Sequence, residues 1–412
     1  MRDVTIIGAG RTGRGMLGEL FYKEGDFRIT FADCDSALVE GLRRQGYYTV
    51  SQNDLLTGTV KVTCVSDFSV VDTVHEHKEY IQALATSELI ATAVFPSSFD
   101  QVADDLAEMV ACRRSMGVGE PVAVILGGNF VGLKSYFDQA LRKRLQGEDA
   151  LYCETHVSLI TSKANRKVTY AADTSEDAYA LEGDNKPVLP VDDAFPFGPD
   201  YSYPSFFELQ ENAEIGMVEK IWSENLVHCS LGFMAAFEGL ETVNEAVERD
   251  DIRTLAYYSW LEGRQGLLAE YGLPIPDDAA VQAMFDKFAS PFFRDKIARI
   301  VRQPIRKLGK GDRFIGPALL CMRHGITPYF ILRAAAYGFC YVDDRDEQSR
   351  QLADMESRLG LEETIKRICG LDEADEQERE VMQLLMDSIR SVRLPDRSRF
   401  RPNAGSKCRF AA

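Results

Sequence analysis

Paired cysteines, long apolar runs and positive charge are all scarce in this chain of 412 residues. No apolar run reaches the ~18 residues that a membrane-spanning helix needs. None of the nine cysteines forms a C-x-x-C pair and none of the five histidines belongs to an H-E-x-x-H motif, so neither a metal site nor a disulfide framework is predicted. The first residues, MRDVTIIGAG, enter a predicted strand at once and leave no room for a signal peptide. We therefore expect a cytoplasmic protein with reduced thiols.

The net charge is −17, which argues against nucleic acid and anionic membranes as partners. It does not exclude an anionic small molecule, because a local cluster of arginine and lysine can overrule the net field. Hydrophobic residues make up 45% of the chain, enough for a large core. The length predicts roughly two or three domains.

Short β-rich runs alternate with helical stretches in the N-terminal part, which predicts a doubly wound parallel sheet of the α/β class. Residues from about Leu159 to Pro204 are irregular and rich in Pro, Gly and Asp, as in a hinge. Helical periodicity then dominates. We expect a dinucleotide-binding domain at 1–195, an all-helical substrate domain at 196–392 and a basic, disordered tail at 393–412.

A glycine-rich turn follows the first strand. In VTIIGAGRTGRG, Gly8, Gly10 and Gly13 have G-x-G-x-x-G spacing, and the motif lies between a predicted strand and a predicted helix. Gly8 would permit the tight turn, Gly10 the approach of a pyrophosphate, and Gly13 close packing of helix on strand. Arg11 and Thr12 open the helix, whose N-terminus attracts phosphate. The alternative is a glycine-rich turn without a ligand.

Asp33 ends the second predicted strand, FRITFAD, at a suitable distance to bind the ribose hydroxyls of a dinucleotide. A carboxylate there favours NAD over NADP, because a 2′-phosphate would meet a like charge. The alternative is an ordinary solvated aspartate at a strand end.

The stretch VEKIWSENLVHCSL carries Lys220, Asn225 and His228 within a largely apolar helix. At about 100° per residue they lie near 0°, 140° and 80°, on one face, with Glu224 near 40°. An amine in an apolar pocket can act as a general base, and an amide can stabilise a developing alkoxide. The alternative is that all three are satisfied core residues.

Four segments carry a resemblance to a known family: GAGRTGRGMLG with FAD, TAVFP, KIWSENLVH, and FASPFFRDKIARIVRQPIRKLGKGDRFIGPA. From residue 1 to about 320 the chain resembles the mannitol dehydrogenase family of long-chain polyol dehydrogenases. The resemblance implies a Rossmann-type domain followed by a helical domain, with no metal.

The resemblance also implies roles for particular residues. Lys220 matches the general acid/base, Asn225 the amide that polarises the reacting oxygen, and His228 a substrate-orienting residue. Asn129 matches an active-site asparagine that would meet both cofactor and substrate. In TAVFP, Thr92 and Ala93 are expected to contact the cofactor.

Three places depart from the family pattern. Gly127 and Gly128 stand where a Cys-Glu pair is common, Ser158 and Leu159 replace an Asp-Arg pair, and Glu224 occupies a place that is usually apolar. We expect the departures to affect the substrate and to leave the cofactor unchanged. Glu224 is expected near the substrate, and the alternative is that it turns away and pairs with a basic residue such as those near Arg299.

RIVRQPIRKLGKGDR is rich in cationic residues. In an acidic protein this run could clamp a phosphate or carboxylate, and the alternative is a solvated or salt-bridged helix face. The cationic residues considered for the clamp are Arg299, Arg302, Arg306, Lys307 and Arg313.

These expectations combine into an NAD-dependent polyol or polyol-phosphate dehydrogenase acting as a monomer or small homo-oligomer. The preferred substrate pair is mannitol 1-phosphate and fructose 6-phosphate. The alternatives are a hexonate, a uronate or an unphosphorylated polyol as substrate, and a catalytically silent NAD-binding regulator.

Overall fold

The structure, a computed structural model, divides into two compact units, Met1–Met217 and Val218–Ala412. This division falls later in the chain than the expected boundary after residue 195. Apart from Arg393 and Leu394, the predicted tail lies outside the described residues. The residues that the structure describes are 1–54, 59–164, 166–290 and 295–394.

The strands lie in the N-terminal unit and form two sheets in the described part of the chain. They are β1 (Arg2–Ile7), β2 (Phe27–Asp33), β3 (Tyr47–Asn53), β4 (Val60–Ser66), β5 (Phe68–Asp72), β6 (Leu89–Thr92), β7 (Val122–Gly127), β8 (Val157–Ser162), β9 (Val168–Tyr170), β10 (Leu181–Asp184), β11 (Leu189–Asp192) and β12 (Phe207–Gln210).

The larger sheet has the strand order β12-β11-β8-β7-β6-β1-β2-β5. Neighbours from β8 to β5 are parallel, whereas β11 runs antiparallel to β8. Every residue of β7 is buried, as expected for a strand covered on both faces. Val4 and Ile6 join one hydrophobic core and Ile7 joins another, so helices cover both faces. The predicted doubly wound sheet is confirmed.

The order of the strands reverses at β1, which pairs with β2 on one side and β6 on the other. The register pairs Ile7 with Ala32 and with Thr92. Gly8, Asp33 and Ala93 each follow one of these residues, so all three lie at the carboxyl edge of the sheet. Ligands bind doubly wound sheets at such a switch point.

The smaller sheet has the order β4-β3-β10-β9 and was not expected. The β-rich run KVTCVS lies in β4 of the smaller sheet, antiparallel to β3, and is not a strand of the parallel sheet. The predicted hinge from Leu159 to Pro204 was wrong, because this segment holds most of β8 and all of β9 to β11.

A buried ion pair joins the first helix to the segment that precedes β9. Arg166 Nη1 donates to Glu19 Oε2 at 2.8 Å, and both side chains are fully buried. The same carboxylate accepts from Gln52 at 2.9 Å and from Thr63 at 3.0 Å. A buried charge needs such partners, so this network fixes the helix that follows the glycine-rich turn.

Helices surround the larger sheet and form the C-terminal unit. Two of them contain π-helical turns, at Gly13–Gly18 and Lys220–Glu224, and a 3-10 turn covers Pro96–Ser98. The α-helices are α1 (Glu19–Glu24), α2 (Ser36–Gln45), α3 (His77–Thr86), α4 (Phe99–Ser115), α5 (Leu133–Arg144), α6 (Gly147–His156), α7 (Ala213–Glu219), α8 (Asn225–Phe237), α9 (Val243–Glu248), α10 (Asp250–Tyr271), α11 (Asp278–Ala289), α12 (Ile297–Ile300), α13 (Pro304–Lys307), α14 (Ile315–Arg323), α15 (Tyr329–Phe339), α16 (Glu347–Leu359), α17 (Leu361–Cys369) and α18 (Glu376–Val392).

One hydrophobic core holds the C-terminal unit together. Leu226, Phe233, Trp260, Ile331 and Leu385 belong to it, from four helices. Helices α8 and α15 are buried along most of their length, which is why their sequences are apolar nearly all round. The prediction of a helical C-terminal region is confirmed for the described residues. None of the helices in that part of the chain combines the length and low polarity that crossing a bilayer requires.

Candidate active site

The three motif glycines occupy distinct environments in the turn after β1. Gly8 has a φ of +99°, and a Cβ there would lie 2.7 Å from the carbonyl oxygen of Ala93. A Cβ on Gly13 would lie 1.8 Å from the carbonyl oxygen of Gly8, whereas one on Gly10 would meet no protein atom within 4 Å. Gly8 and Gly13 therefore serve the tight turn and the packing, and Gly10 borders the open space that a dinucleotide backbone would need.

The helix after the turn begins at Arg11, and Thr12 has helical dihedral angles of −68° and −42°. Arg11 is exposed, and its guanidinium lies 5.6 Å from the centre of the Tyr170 ring. Backbone N–H groups at this helix start, together with the helix dipole, suit a pyrophosphate. The residues therefore fit a dinucleotide.

Asp33 organises the turn as well as ending β2. Its Oδ2 accepts the backbone N–H of Ala9 at 2.7 Å, and its Oδ1 accepts that of Asp35 at 3.0 Å. Each carboxylate oxygen keeps a lone pair for a further donor. Asp33 can thus bind a ribose hydroxyl while holding the turn.

The sequence did not point to Arg14 as part of the turn. Arg14 is buried, and burial lowers the pKa of its guanidinium. Its Nε donates to the carbonyl oxygen of Ala9 at 2.7 Å, and its Nη1 to that of Tyr179 at 2.7 Å. No spacing rule would have revealed this role, because an arginine in a glycine-rich turn is expected to face solvent.

Thr92 and Ala93 lie at the end of β6, beside the turn. Thr92 is buried and its Oγ1 accepts the N–H of Gly127 at 3.1 Å, while Ala93 donates its N–H to Ile7 at 2.7 Å. Gly127 is one of the departures from the family pattern. A Cβ there would lie 2.2 Å from the carbonyl oxygen of Thr92, so close packing against β6 requires glycine at this position. Asn129 follows in the loop after β7 and is exposed.

In the C-terminal unit, Lys220 and Asn225 are the two ends of a π-helical turn. The N–H of Asn225 donates to the carbonyl oxygen of Lys220, five residues earlier. The 100° spacing used for the sequence is therefore wrong here, because a π turn advances fewer degrees per residue. Asn225 lies roughly one turn above Lys220, closer to it around the helix than the expected ~140°. Both side chains are half-buried.

Glu224 was expected to lie between Lys220 and His228 at the substrate. The structure places it at the end of the π turn, exposed to solvent. Its role at the substrate stays a prediction.

His228 lies one turn further along α8 and has a partner that sequence reasoning missed. Its Nε2 is 3.5 Å from Oδ2 of Asp295, and its ring stacks on Phe288 with centroids 5.3 Å apart. Arg299 binds the same carboxylate through Nε and Nη2. The available signal was the i, i+4 spacing of Asp295 and Arg299 in DKIAR.

The cationic residues of the predicted phosphate clamp lie in different environments. Lys307 is only 5% exposed, and its Nζ donates to the backbone carbonyls of Ile300 and Arg302, so it supports the chain locally instead of facing a ligand. Burial lowers the pKa of Lys307 to about 8. These contacts make Lys307 less available to a ligand than the sequence suggests, and its place in the clamp stays a prediction.

Two arginines of the clamp share one carboxylate. Arg306 Nη1 donates to Asp312 Oδ2 at 3.1 Å, and Arg313 Nε donates to Oδ1 at 2.6 Å. Arg313 is buried and also contacts Cys229 Sγ at 3.3 Å, whereas the side chain of Arg306 is 31% exposed. Two guanidinium groups against one carboxylate leave a local excess of positive charge, with Arg306 as its accessible member.

Family models match both units. A model described as the mannitol dehydrogenase Rossmann domain matches residues 2–185, and one described as the mannitol dehydrogenase C-terminal domain matches residues 217–398. Together they cover most of the chain. The chain belongs to the mannitol dehydrogenase family.

This mannitol dehydrogenase family member is similar to the mannitol-1-phosphate 5-dehydrogenase of Streptococcus pneumoniae (strain 70585), with 25% identity over 377 residues that cover 91% of this chain and 98% of the relative. Among solved structures, it resembles Pseudomonas fluorescens mannitol 2-dehydrogenase in a ternary complex with NAD and D-mannitol, with a TM-score of 0.77, 15% identity and coverage of 96% and 92%. Substrate-free D-sorbitol dehydrogenase gives a TM-score of 0.69, 14% identity and coverage of 97% and 94%. At these identities the solved structures show the fold.

The predicted family, the Rossmann-type domain followed by a helical region, and the oxidoreductase class are confirmed by these matches. The roles of individual residues stay predictions.

Proposed function

We propose that this enzyme transfers hydride between NAD and a polyol phosphate, with mannitol 1-phosphate and fructose 6-phosphate as the preferred pair. One observation carries the proposal: the π turn brings Lys220 and Asn225 to one side of a helix, in a chain whose glycine-rich turn is organised by Asp33. The Streptococcus relative is named for mannitol 1-phosphate, which supports the choice of substrate.

The residues divide the chemistry of alcohol oxidation between them. Lys220, in its neutral form, accepts the proton of the reacting hydroxyl. The side-chain amide of Asn225 donates to the oxygen on which negative charge develops. His228 holds a neighbouring hydroxyl and so fixes the carbon that reacts. A bound nicotinamide would supply the acceptor for the hydride that leaves that carbon.

The phosphate is proposed to bind near Arg306. Its guanidinium is partly accessible and lies beside Arg313, with Asp312 as their shared counter-charge. A phosphate would complete the neutralisation, and arginine suits it because the planar group donates two parallel hydrogen bonds. Arg299 is a weaker candidate because Asp295 already binds it.

An NADH-oxidation screen with fructose 6-phosphate, fructose and the uronates tests the proposal. We expect fructose 6-phosphate to give the highest kcat/KM. Lys220→Ala should remove turnover, since the general base is lost. Lys78→Ala, at an exposed position, is the matched control and should leave turnover unchanged.

The other outcomes each select an alternative. Faster turnover of a uronate or of free fructose would select a substrate without phosphate. Absence of turnover with every ketose, together with NADH binding, would select the silent regulator. The cytoplasm as location, the monomer or small homo-oligomer as state, and the absence of metal, nucleic-acid and membrane partners remain predictions from the sequence.

A further inference from the structure

A buried aspartate lies beside His228 and was not part of the predicted site. Asp295 is 2% exposed and lies two residues before the start of α12. Its backbone is fixed, because its carbonyl oxygen accepts the N–H of Val243 at 3.0 Å and the next residue, Lys296, forms a β-bridge with Thr242. These contacts fix the main chain from which the Asp295 side chain extends.

Among the described residues, two neighbours of the Asp295 carboxylate can carry positive charge. Arg299 binds both oxygens, with Nε on Oδ1 and Nη2 on Oδ2. His228 Nε2 is 3.5 Å from the same Oδ2. A buried carboxylate must be paired, and here two cationic groups compete for one negative charge.

The imidazole is constrained from a second direction. Phe288 stacks on it, with ring centroids 5.3 Å apart and an angle of 20° between the planes. Stacking fixes the plane of the ring, and the carboxylate selects which nitrogen faces it. A carboxylate near Nε2 favours the tautomer that carries hydrogen there, so that Nδ1 of the neutral ring is a hydrogen-bond acceptor.

We propose that Asp295 is a positioning residue for His228, which turns Nε2 to the carboxylate and presents Nδ1 as the acceptor for a substrate hydroxyl, and that Arg299 moderates the charge that Asp295 exerts on the ring. The presentation to substrate rests on the proposed function. The electrostatic coupling among the three side chains does not, and it can be measured without substrate.

The coupling is tested by NMR titration of the imidazole nitrogens of His228 in the full-length protein. The spectrum of His228→Gln assigns the signal among the five histidines. In Asp295→Asn, the titration midpoint of His228 should fall by about one pH unit, because the charge that favours imidazolium is removed. In Arg299→Gln, the midpoint should rise, since a cation that competes with the ring for the carboxylate is then removed.

Lys296→Gln is the matched control. Lys296 is an exposed cation beside Asp295 in sequence, so its removal should leave the midpoint nearly unchanged. Opposite shifts in Asp295→Asn and Arg299→Gln support the proposal, because a general loss of stability would not produce them. An unchanged midpoint in both variants would overturn it. If Asp295→Asn does not fold, Arg299→Gln decides. The Arg299 side chain is 45% exposed, so its replacement should not prevent folding. The titration midpoint of His228 must rise in that variant.

Kinetics then test the positioning itself. Asp295→Asn should raise KM for the polyol phosphate about tenfold, and in a His228→Gln background the same change should cost little more, because the two residues act as one unit. If Asp295→Asn also raises KM about tenfold in the His228→Gln background, positioning through His228 is refuted. A parent enzyme without polyol turnover would refute the proposed function alone, because the NMR shifts would still report the coupling.

Discussion

Replacing Gly10 and Gly13 separately by alanine should separate binding of the dinucleotide from packing of the turn. The Cβ of Gly13→Ala would lie 1.8 Å from the carbonyl oxygen of Gly8, a backbone atom that cannot swing away. The Cβ of Gly10→Ala would meet no protein atom within 4 Å. Gly13→Ala should therefore reduce both stability and NADH binding, whereas Gly10→Ala should reduce NADH binding alone.

The structure sets the size of the two effects. A contact of 1.8 Å between carbon and oxygen must open by more than 1 Å, so the turn or the helix has to shift. Overpacking of this kind costs about 1–3 kcal/mol. For a unit of 217 residues, each kcal/mol lowers the melting temperature by about 2–4 °C. For Gly10→Ala, a methyl group where the pyrophosphate must approach should weaken NADH binding by about 10- to 100-fold.

Thermal unfolding and titration of NADH fluorescence measure the two effects independently. Gly119→Ala is the control, because Gly119 lies in a remote loop where an added Cβ also meets no atom within 4 Å. It should change neither quantity. If Gly10→Ala binds NADH as tightly as the parent, the pyrophosphate does not pass this turn and the assignment of the cofactor site fails. If Gly13→Ala melts at the parent temperature, the packing argument fails.

The glycine-rich turn could be predicted because its signal is local. Gly8, Gly10 and Gly13 lie within six positions, directly after a buried apolar strand, and Asp33 ends the next strand. The pairing of Ile7 with residues of both neighbouring strands then follows from the rules for parallel sheets. Local pattern and general topology together were sufficient here.

The smaller sheet depends on pairing between distant segments. Strand β10, Leu181–Asp184, runs parallel to Tyr47–Asn53, and β9 contains three residues. Runs this short carry little periodicity, and a Pro- and Asp-rich context resembles a linker. The ion pair of Glu19 with Arg166, which fixes this region, joins residues far apart in sequence. No local pattern contains that information.

The C-terminal site shows a different limit. Lys220 and Asn225 were identified as a pair, but their angular separation depends on a π turn that residue types do not specify. Arg306 and Lys307 are adjacent cations, but Lys307 is buried and donates to two backbone carbonyls, whereas Arg306 is partly exposed. Counting charges in a basic run therefore does not show which of them are accessible to a ligand.

Four further changes test the assignments. Asp33→Asn keeps an oxygen for the turn but removes the charge, so kcat/KM with NADP relative to NAD should rise about tenfold or more; an unchanged ratio would show that the carboxylate does not select the cofactor. Arg306→Ala should raise KM for fructose 6-phosphate about 10- to 100-fold and leave that for fructose unchanged, whereas equal losses would make the residue structural. Glu262 is 9% exposed and accepts two backbone N–H groups at the start of α15, and burial raises its pKa from 4.5 to about 7. The folded protein then binds this proton more readily than the unfolded chain, so the unfolding free energy falls as pH rises from about 4.5 to about 7, by about 3 kcal/mol. Denaturant titrations at pH 5 and pH 8 measure this fall, and Glu262→Gln should remove the part of it that Glu262 causes. An equal fall in the parent and in the variant would refute the argument. Glu224 is exposed and lies four residues after Lys220, where an ion pair would contribute at most about 0.5 kcal/mol because water and salt screen it. Glu224→Gln should therefore move the basic limb of the kcat–pH profile by less than about half a pH unit, and a larger downward shift would show that the carboxylate reaches Lys220 when substrate is bound.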